Sequence, residues 1–428
     1  MSMRNAASFV ALSLFVACPV GAVAAPWIEG TTDKDPLSYS VGEEIVFTVT
    51  LREASSFPDG VKAEWRRTGD DGVEEKGAWN GASPLTVKTK LARAGFVRLR
   101  VEPREETGKR RPWRPDGAKG DVFFDGGAAA GVDALVQAKP EPADFDVFWK
   151  KCRDELAAMP MEAELEEIPS PSPGAKLYKA KVSCPGGTGW TTGYLSIPEK
   201  PGRHAAEASF AGYGTSWSKK AFEPPKSVSS AKLRFHVTAH GCELGREADY
   251  YSQLRKSAGS NGYGYGFDPA QNRSPDTCYF RGMALRVIRA VEYLKTRPEW
   301  DGKHLTVSGG SMGSLQAMWC AAFVPGVSEA RLQIPWLCDV GGTEDGRNHG
   351  DWYPKWAPGL DYFDQVNVAR RVPATCRAVV DYIGLGDYIA PPCGSTIMYR
   401  ALKCPKSAVW IQGAVHGHVP PNPQRFRR

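Results

Sequence analysis

The feature that most constrains this chain is the run HLTVSGGSMGSLQAMWCAAF at 304–323, where an apolar strand-like segment passes into an apolar helix-like segment with no spacer. The whole reversal is made by Gly309-Gly310-Ser311-Met312-Gly313, a G-x-S-x-G pentapeptide. A strand-to-helix turn this sharp brings neighbouring backbone so close that side chains at the flanking positions would clash, while the serine oxygen projects above the sheet. The pentapeptide alone is weak in a chain with 45 glycines; its strand–turn–helix context gives it weight. The rival reading is an ordinary glycine-rich turn with a helix-capping serine.

The flanking sequence fits the same architecture. FDVFWKKCRDELAAM at 145–159 has helical apolar spacing, and strands and helices then alternate to the end. Strands are expected at 176–184, 193–198, 206–214, 232–240, 304–310, 330–340, 376–387 and 407–416. Such alternation implies a mainly parallel sheet with helices on both faces, and eight strands suit an α/β-hydrolase fold, here over 143–428.

Upstream the pattern differs. Short alternating runs, EIVFTVTL at 44–51, KAEWRR at 62–67, PLTVKTKL at 84–91 and GFVRLRVEP at 95–103, are separated by turn-rich spacers. They predict a small all-β, immunoglobulin-like sandwich over 26–125. The stretch GGAAAGVDALVQAKPEP at 126–142 reads as a linker, being rich in Gly, Ala and Pro. Residues 1–24 read as a secretory signal: Arg4, an apolar run, then small residues at Ala22 and Ala24. A membrane anchor is the alternative, but the run is short and interrupted by Pro19; lipid modification at Cys18 is a third. The protein is therefore expected to be exported, to the periplasm or the extracellular space, with no integral membrane segment after cleavage.

The charge of +6 is scattered, with 54 basic and 48 acidic residues and no basic block, so nucleic acid is not implied. Ten cysteines include Cys18 and form no C-x-x-C pairs, which disfavours zinc; the other nine could pair in part in an oxidising compartment. No metal or cofactor is expected, and the sequence does not address oligomeric state.

A serine hydroxyl is a poor nucleophile without a base, and the base needs a group to hold its tautomer. In this fold the chain order is Ser, acid, His. After Ser311 the histidines are His349, His416 and His418. His416 ends the last apolar strand and is the expected base, with His418 its rival and His349 in a polar insertion. Asp387, at the end of the preceding strand, is the expected acid; Asp339 is the runner-up, and Asp381 should lie inside the strand. The oxyanion hole uses the amide after the nucleophile, Met312, and one from the loop after the third strand, where FAGYGTSW makes Tyr213 the candidate.

Several separated segments resemble the acetyl xylan esterase / cephalosporin-C deacetylase family: PADFDVFWKK at 142–151, YFRGMALRVIRAVEYLKTRPEWDGKHLTVSGGSMGS at 279–314, YFDQVNVARRV at 362–372, GLGDYIAPP at 384–392 and HGHVP at 416–420. The resemblance spans roughly residues 140–420. It implies removal of acetyl groups from an oligo- or polysaccharide through an acyl-enzyme, with Ser311, Asp387 and His416 at the triad positions and Tyr213 and Met312 at the oxyanion positions. The chain departs from the family's pattern at Met312, where Gln is usual, and at Ala211, where His is usual; backbone amides survive these changes. Glu243, Arg246 and Tyr263 in two divergent loops, and Trp352 and Trp356 in the insertion before YFD, are candidate substrate contacts. Solvated loop residues and a packed lid core are the competing readings. A secreted serine peptidase of related fold and a non-catalytic carbohydrate-binding protein remain the alternatives from other classes.

Overall fold

The burial of Ile45–Arg52 (β2) alternates strictly, with Ile45, Phe47, Val49 and Leu51 inward, as a strand covering a core on one face must. In the computed structural model, which describes residues 25–106, 111–118, 120–214 and 222–428, β2 pairs antiparallel with Trp27–Thr32 (β1) on one side. Its other neighbour is Leu85–Thr89, which becomes β5 when Val61–Gly69 and Glu75–Trp79 are counted as β3 and β4. A second antiparallel sheet runs β4-β3-β6-β7, where β6 is Gly95–Glu105 and β7 Arg111–Pro112; Phe124–Ala130 (β8) joins along β6. The inner faces share one core, in which Phe47 and Val49 meet Val97, Leu99, Val101 and Phe124. All four upstream runs expected to be strands are strands. Residues 1–24, read above as a signal, lie outside the described residues.

The expected linker is a correction. Its first five residues belong to β8, which is buried along its whole length. Glycine and alanine are there for close approach rather than flexibility. A Cβ on Gly127 would lie 2.6 Å from the Val97 carbonyl oxygen and 2.7 Å from that of Leu385. The connection proper starts at Gly131, left-handed at φ 62°, and leads through a short 3-10 turn towards Phe145–Ala158 (α1).

The remaining strands form one ten-stranded sheet. In chain order they are Ala163–Ile168 (β9), Ala175–Ser183 (β10), Trp190–Pro198 (β11), His204–Phe210 (β12), Leu233–Thr238 (β13), Trp300–Gly310 (β14), Glu329–Gln333 (β15), Arg377–Gly384 (β16), Lys406–Ile411 (β17) and Arg425–Arg427 (β18). The spatial order is β18-β17-β16-β15-β14-β12-β13-β11-β10-β9. The joins from β13 through β12, β14, β15 and β16 to β17 are parallel, and those among β9, β10, β11 and β13, and between β17 and β18, are antiparallel. The sheet is therefore mixed, not mainly parallel and eight-stranded. All eight expected strands are present; the two extra ones are edges that give no apolar signal, β9 being AELEEI and β18 three residues long. β15 stops short of its expected end because Pro335 follows and Ile334 and Leu337 take positive φ.

Helices cover both faces: Ala248–Ala258 (α2), Tyr279–Thr296 (α3), Met312–Phe323 (α4), Gln365–Ala369 (α5) and Pro392–Ala401 (α6) follow α1. α4 is apolar nearly all round and correspondingly buried, packed on β14, β15 and α3. All nine cysteines after Cys18 are buried free thiols.

The second antiparallel sheet and the ten-stranded sheet meet along a seam. Gln412, just past β17, donates to the Gly127 carbonyl and accepts from its amide, both at 2.9 Å. Asn348 donates to Asp70 at 2.9 Å and to Thr68 at 2.8 Å. A Cβ on Gly386 would sit 1.9 Å from the Asp125 carbonyl oxygen. Gly386→Ala is thus expected to cost about 2 kcal/mol or more by overpacking, read as a lowered denaturation midpoint, whereas Gly120→Ala, with nothing within 4 Å of the added carbon, leaves it in place.

Candidate active site

β14 delivers Ser311 onto a backbone that an L residue rarely adopts, φ 57° and ψ −123°. The turn closes so tightly that a Cβ on Gly309 would lie 2.4 Å from the backbone of Gly313, and one on Gly313 would lie 2.4 Å from the Phe210 carbonyl oxygen. The middle glycine is different: an added carbon at Gly310 meets nothing nearer than 3.7 Å. The Ser311 amide donates to Gln333 on β15 at 2.9 Å, and α4 begins at the next residue.

The loops after β16 and β17 bring two further side chains to the same edge. His416 Nε2 lies 3.0 Å from Ser311 Oγ, and its Nδ1 lies 2.9 Å from Asp387 Oδ2. Asp387 is buried, and its other oxygen accepts from the amides of Ile389 at 3.0 Å and Ala390 at 2.9 Å, which fixes the carboxylate's orientation. With Nδ1–H donated to Asp387, Nε2 is left to accept from the serine hydroxyl. The competing candidates are engaged elsewhere. His418 packs on Phe123, and His349 binds the Gly350 carbonyl. Asp339 pairs with Arg347 and accepts from the Ala138 amide, and Asp381 pairs with Arg331.

Tyr213, after β12, is held from two sides. Its ring stacks on Tyr265 at 4.1 Å and 8°, and the neighbouring Gly214 amide donates to the Tyr265 hydroxyl at 3.0 Å. Gln316 of α4 donates to the Ala211 carbonyl at 2.9 Å, tying this loop to the helix that starts beside Ser311. Among the described residues neither the Tyr213 nor the Met312 amide has a protein acceptor. Ser311, His416, Gly212, Tyr213, Phe267, Trp336, Trp352 and Ile389 line a cleft of about 340 Å³. Phe267, Trp336 and Ile389 are not singled out by the sequence; the unwinding after β15 and the return of the Gly/Tyr-rich segment aim the first two here, and Ile389 arrives on the loop that carries Asp387.

The candidate substrate contacts divide. Trp352 lines the cleft, 45% exposed, against Tyr213 and Phe267. Tyr263 lies in an adjoining hollow bounded by Tyr213, Phe267 and Trp352. Glu243, Arg246 and Trp356 do not line the cleft. Glu243 and Arg246 pair with each other at 2.9 Å, with Arg246 over the Tyr250 ring; Trp356 donates to Asp361 at 3.0 Å and sits under Lys139. No group of three or more His, Cys, Asp or Glu is placed to hold a metal among the described residues, and no helix there is long and apolar enough to cross a membrane.

The sequence profile of the acetyl xylan esterase family, AXE1, matches residues 132–345. The chain belongs to that family. The match contains Tyr213 and Ser311 and ends before Asp387 and His416. The acetyl esterase Axe7A of Xylanibacter ruminicola is 28% identical over 283 residues, 63% of this chain and 62% of that protein's length. Two solved structures share the fold. The acetyl xylan esterase from Paenibacillus sp. R4 has a TM-score of 0.53 at 22% identity, over 67% of this chain and 95% of its own. Acetyl xylan esterase 1 from Thermoanaerobacterium sp. JW/SL YS485 gives 0.54 at 20%, over 68% and 93%. Both are nearly fully covered and leave about a third of this acetyl xylan esterase family member unmatched.

Two outcomes follow from the local physics. Gly309→Ala and Gly313→Ala should each abolish a correctly placed Ser311, read as loss of labelling by a serine-directed fluorophosphonate, while Gly310→Ala retains it. Behind the Tyr213–Tyr265 stack, His240 bonds the Tyr279 hydroxyl at 3.0 Å; burial, reinforced by Arg286, lowers its pKa to about 3. A lowered imidazole value means the folded state resists protonation, so this contribution to stability is complete above about pH 6.5 and is lost as pH falls from there towards 3. His240→Gln should make the decline of Tm between pH 6.5 and 4 shallower than in the parent.

Proposed function

We propose that the protein is an exported serine carboxylesterase that removes acetyl groups from acetylated carbohydrate. The observation that carries this reading is the hydrogen-bond chain from Ser311 through His416 to Asp387, opening into a cleft beside two unengaged amides. Ser311 Oγ attacks the acetyl carbonyl carbon as His416 Nε2 takes its proton. The oxygen of the tetrahedral intermediate is held by the amides of Tyr213 and Met312, whose positions are set by the Tyr265 stack and the start of α4. Collapse expels the sugar hydroxyl, which receives the proton from His416. Water, deprotonated by the same imidazole, then attacks the acetyl-enzyme and releases acetate. Asp387 stabilises the imidazolium without taking a proton.

Family membership and the acetyl esterase relative support the acetyl group as the acyl part. The aromatic walls given by Trp336, Trp352 and Phe267 suit the faces of a sugar ring. The segment at 1–24 supports export. The two-layer antiparallel arrangement upstream supports an immunoglobulin-like module ending near Ala130, where the catalytic unit's connection begins.

Ser311→Ala and His416→Ala are expected to lower kcat on p-nitrophenyl acetate by about five to six orders of magnitude, and Asp387→Asn by about four. Full activity in Ser311→Ala, or loss in His418→Ala with retention in His416→Ala, would overturn the assignment. Acetate release from acetylated xylo-oligosaccharides, with no cleavage of peptides, separates this reading from the peptidase.

A further inference from the structure

The β-rich N-terminal unit does more than abut the catalytic sheet. Between β6 and the loops after β16 and β17 lies an open cleft of about 640 Å³, larger than the space around Ser311 and adjoining it, with His416 and Ile389 lining both. Arg100, Glu102 and Arg104 of β6 line it, as does Phe123. We propose that this cleft is a subsite for the glycan chain flanking the acetylated sugar, so that the N-terminal unit supplies one wall of the substrate groove. This rests on the esterase reading above and extends it to the substrate's length.

The chemistry of the wall favours a neutral polyol. Glu102 is held between two guanidinium groups, by Arg100 and, at 3.1 Å, by Arg104. A guanidinium carries five N–H donors in a rigid plane, so these contacts leave donors free beside fixed carboxylate acceptors. Sugar hydroxyls both donate and accept, and a row of alternating planar donors and acceptors matches them. An anionic chain is disfavoured, because Arg98, Arg100 and Arg104 are balanced by Glu102, Asp121, Asp125 and Asp351 around the same cleft. Phe123, half-buried against His418, adds an apolar face of the kind a pyranose ring packs on.

The wall is also rigid. Arg98 forms a two-pronged pair with buried Asp125 at 2.7 and 2.5 Å and lies 4.4 Å from the ring centre of Tyr388, the residue after Asp387. Together with the Gly127–Gln412 bonds, this fixes β6 and β8 against the two loops that carry Asp387 and His416. A groove with one wall on each unit therefore keeps its width.

The test compares kcat/KM on acetylated xylo-oligosaccharides with kcat/KM on p-nitrophenyl acetate for the full chain. In an Arg100→Ala/Arg104→Ala variant, and separately in Phe123→Ala, the ratio of the two should fall about tenfold, equivalent to roughly 1.4 kcal/mol, chiefly through KM for the oligosaccharide. A ratio within about twofold of the parent in both variants overturns the subsite. So does a parent that hydrolyses p-nitrophenyl acetate but releases no acetate from the oligosaccharides. Failure of the esterase reading shows separately, as p-nitrophenyl acetate hydrolysis that survives Ser311→Ala.

Discussion

The arrangement of side chains around Ser311 depends on keeping that residue at a backbone angle it would not choose. A non-glycine residue at φ 57° and ψ −123° costs on the order of 1–3 kcal/mol, and persists only where the surroundings over-determine it. Here they do. Gly309 and Gly313 allow strand and helix to touch, the Ser311 amide is bound by β15, and α4 is locked between β14, β15 and α3. The strain is thus borne by a buried part of the molecule. Its return is a hydroxyl raised above the sheet with a preorganised amide immediately behind it, and the neighbouring loop is tied to the same helix through Gln316.

The second consequence is that the site is assembled from two units. Asp387 and His416 sit on loops whose outer surfaces are packed against β8, so the geometry of this hydrogen-bonded pair depends on contacts some 260 to 290 residues away in sequence, such as Gly127 with Gln412 and Asp125 with Gly386. Replacing glycine by any larger residue on either side of this seam would push the loops outward. That explains why a strand of composition FDGGAAA is buried where flexible linker composition would suggest exposure.

The convergence of Ser311, His416 and Asp387 was largely legible in the sequence because it is written locally. Strand, pentapeptide and helix are contiguous around Ser311, and Asp387 and His416 each close an apolar strand. What was not legible depends on distance or on weak signals. β9 and β18 are solvent-facing edges without alternation, and β8 looks like a linker because the reason for its small residues lies on another unit. Glu243, Arg246 and Trp356 were singled out by residue type, yet each finds a nearby partner. Trp336 and Phe267 reach the cleft only because positive φ angles after β15 and the fold of the Gly/Tyr-rich segment redirect them.

The nine buried thiols have a bearing on how this chain would fare in an oxidising medium. Burial pushes their pKa values upward, to about 11 for Cys152 and Cys242 and about 12 for Cys184 and Cys278, so the folded protein offers almost no thiolate to an oxidant. Among the described residues no disulfide shares the burden of stability, which falls to non-covalent contacts. Opening the core in an oxidising medium exposes nine reactive sulfurs at once, and random cross-linking then competes with reclosure. For such a molecule the durable quantity is the unfolding rate: the first excursion out of the native state is apt to be the last.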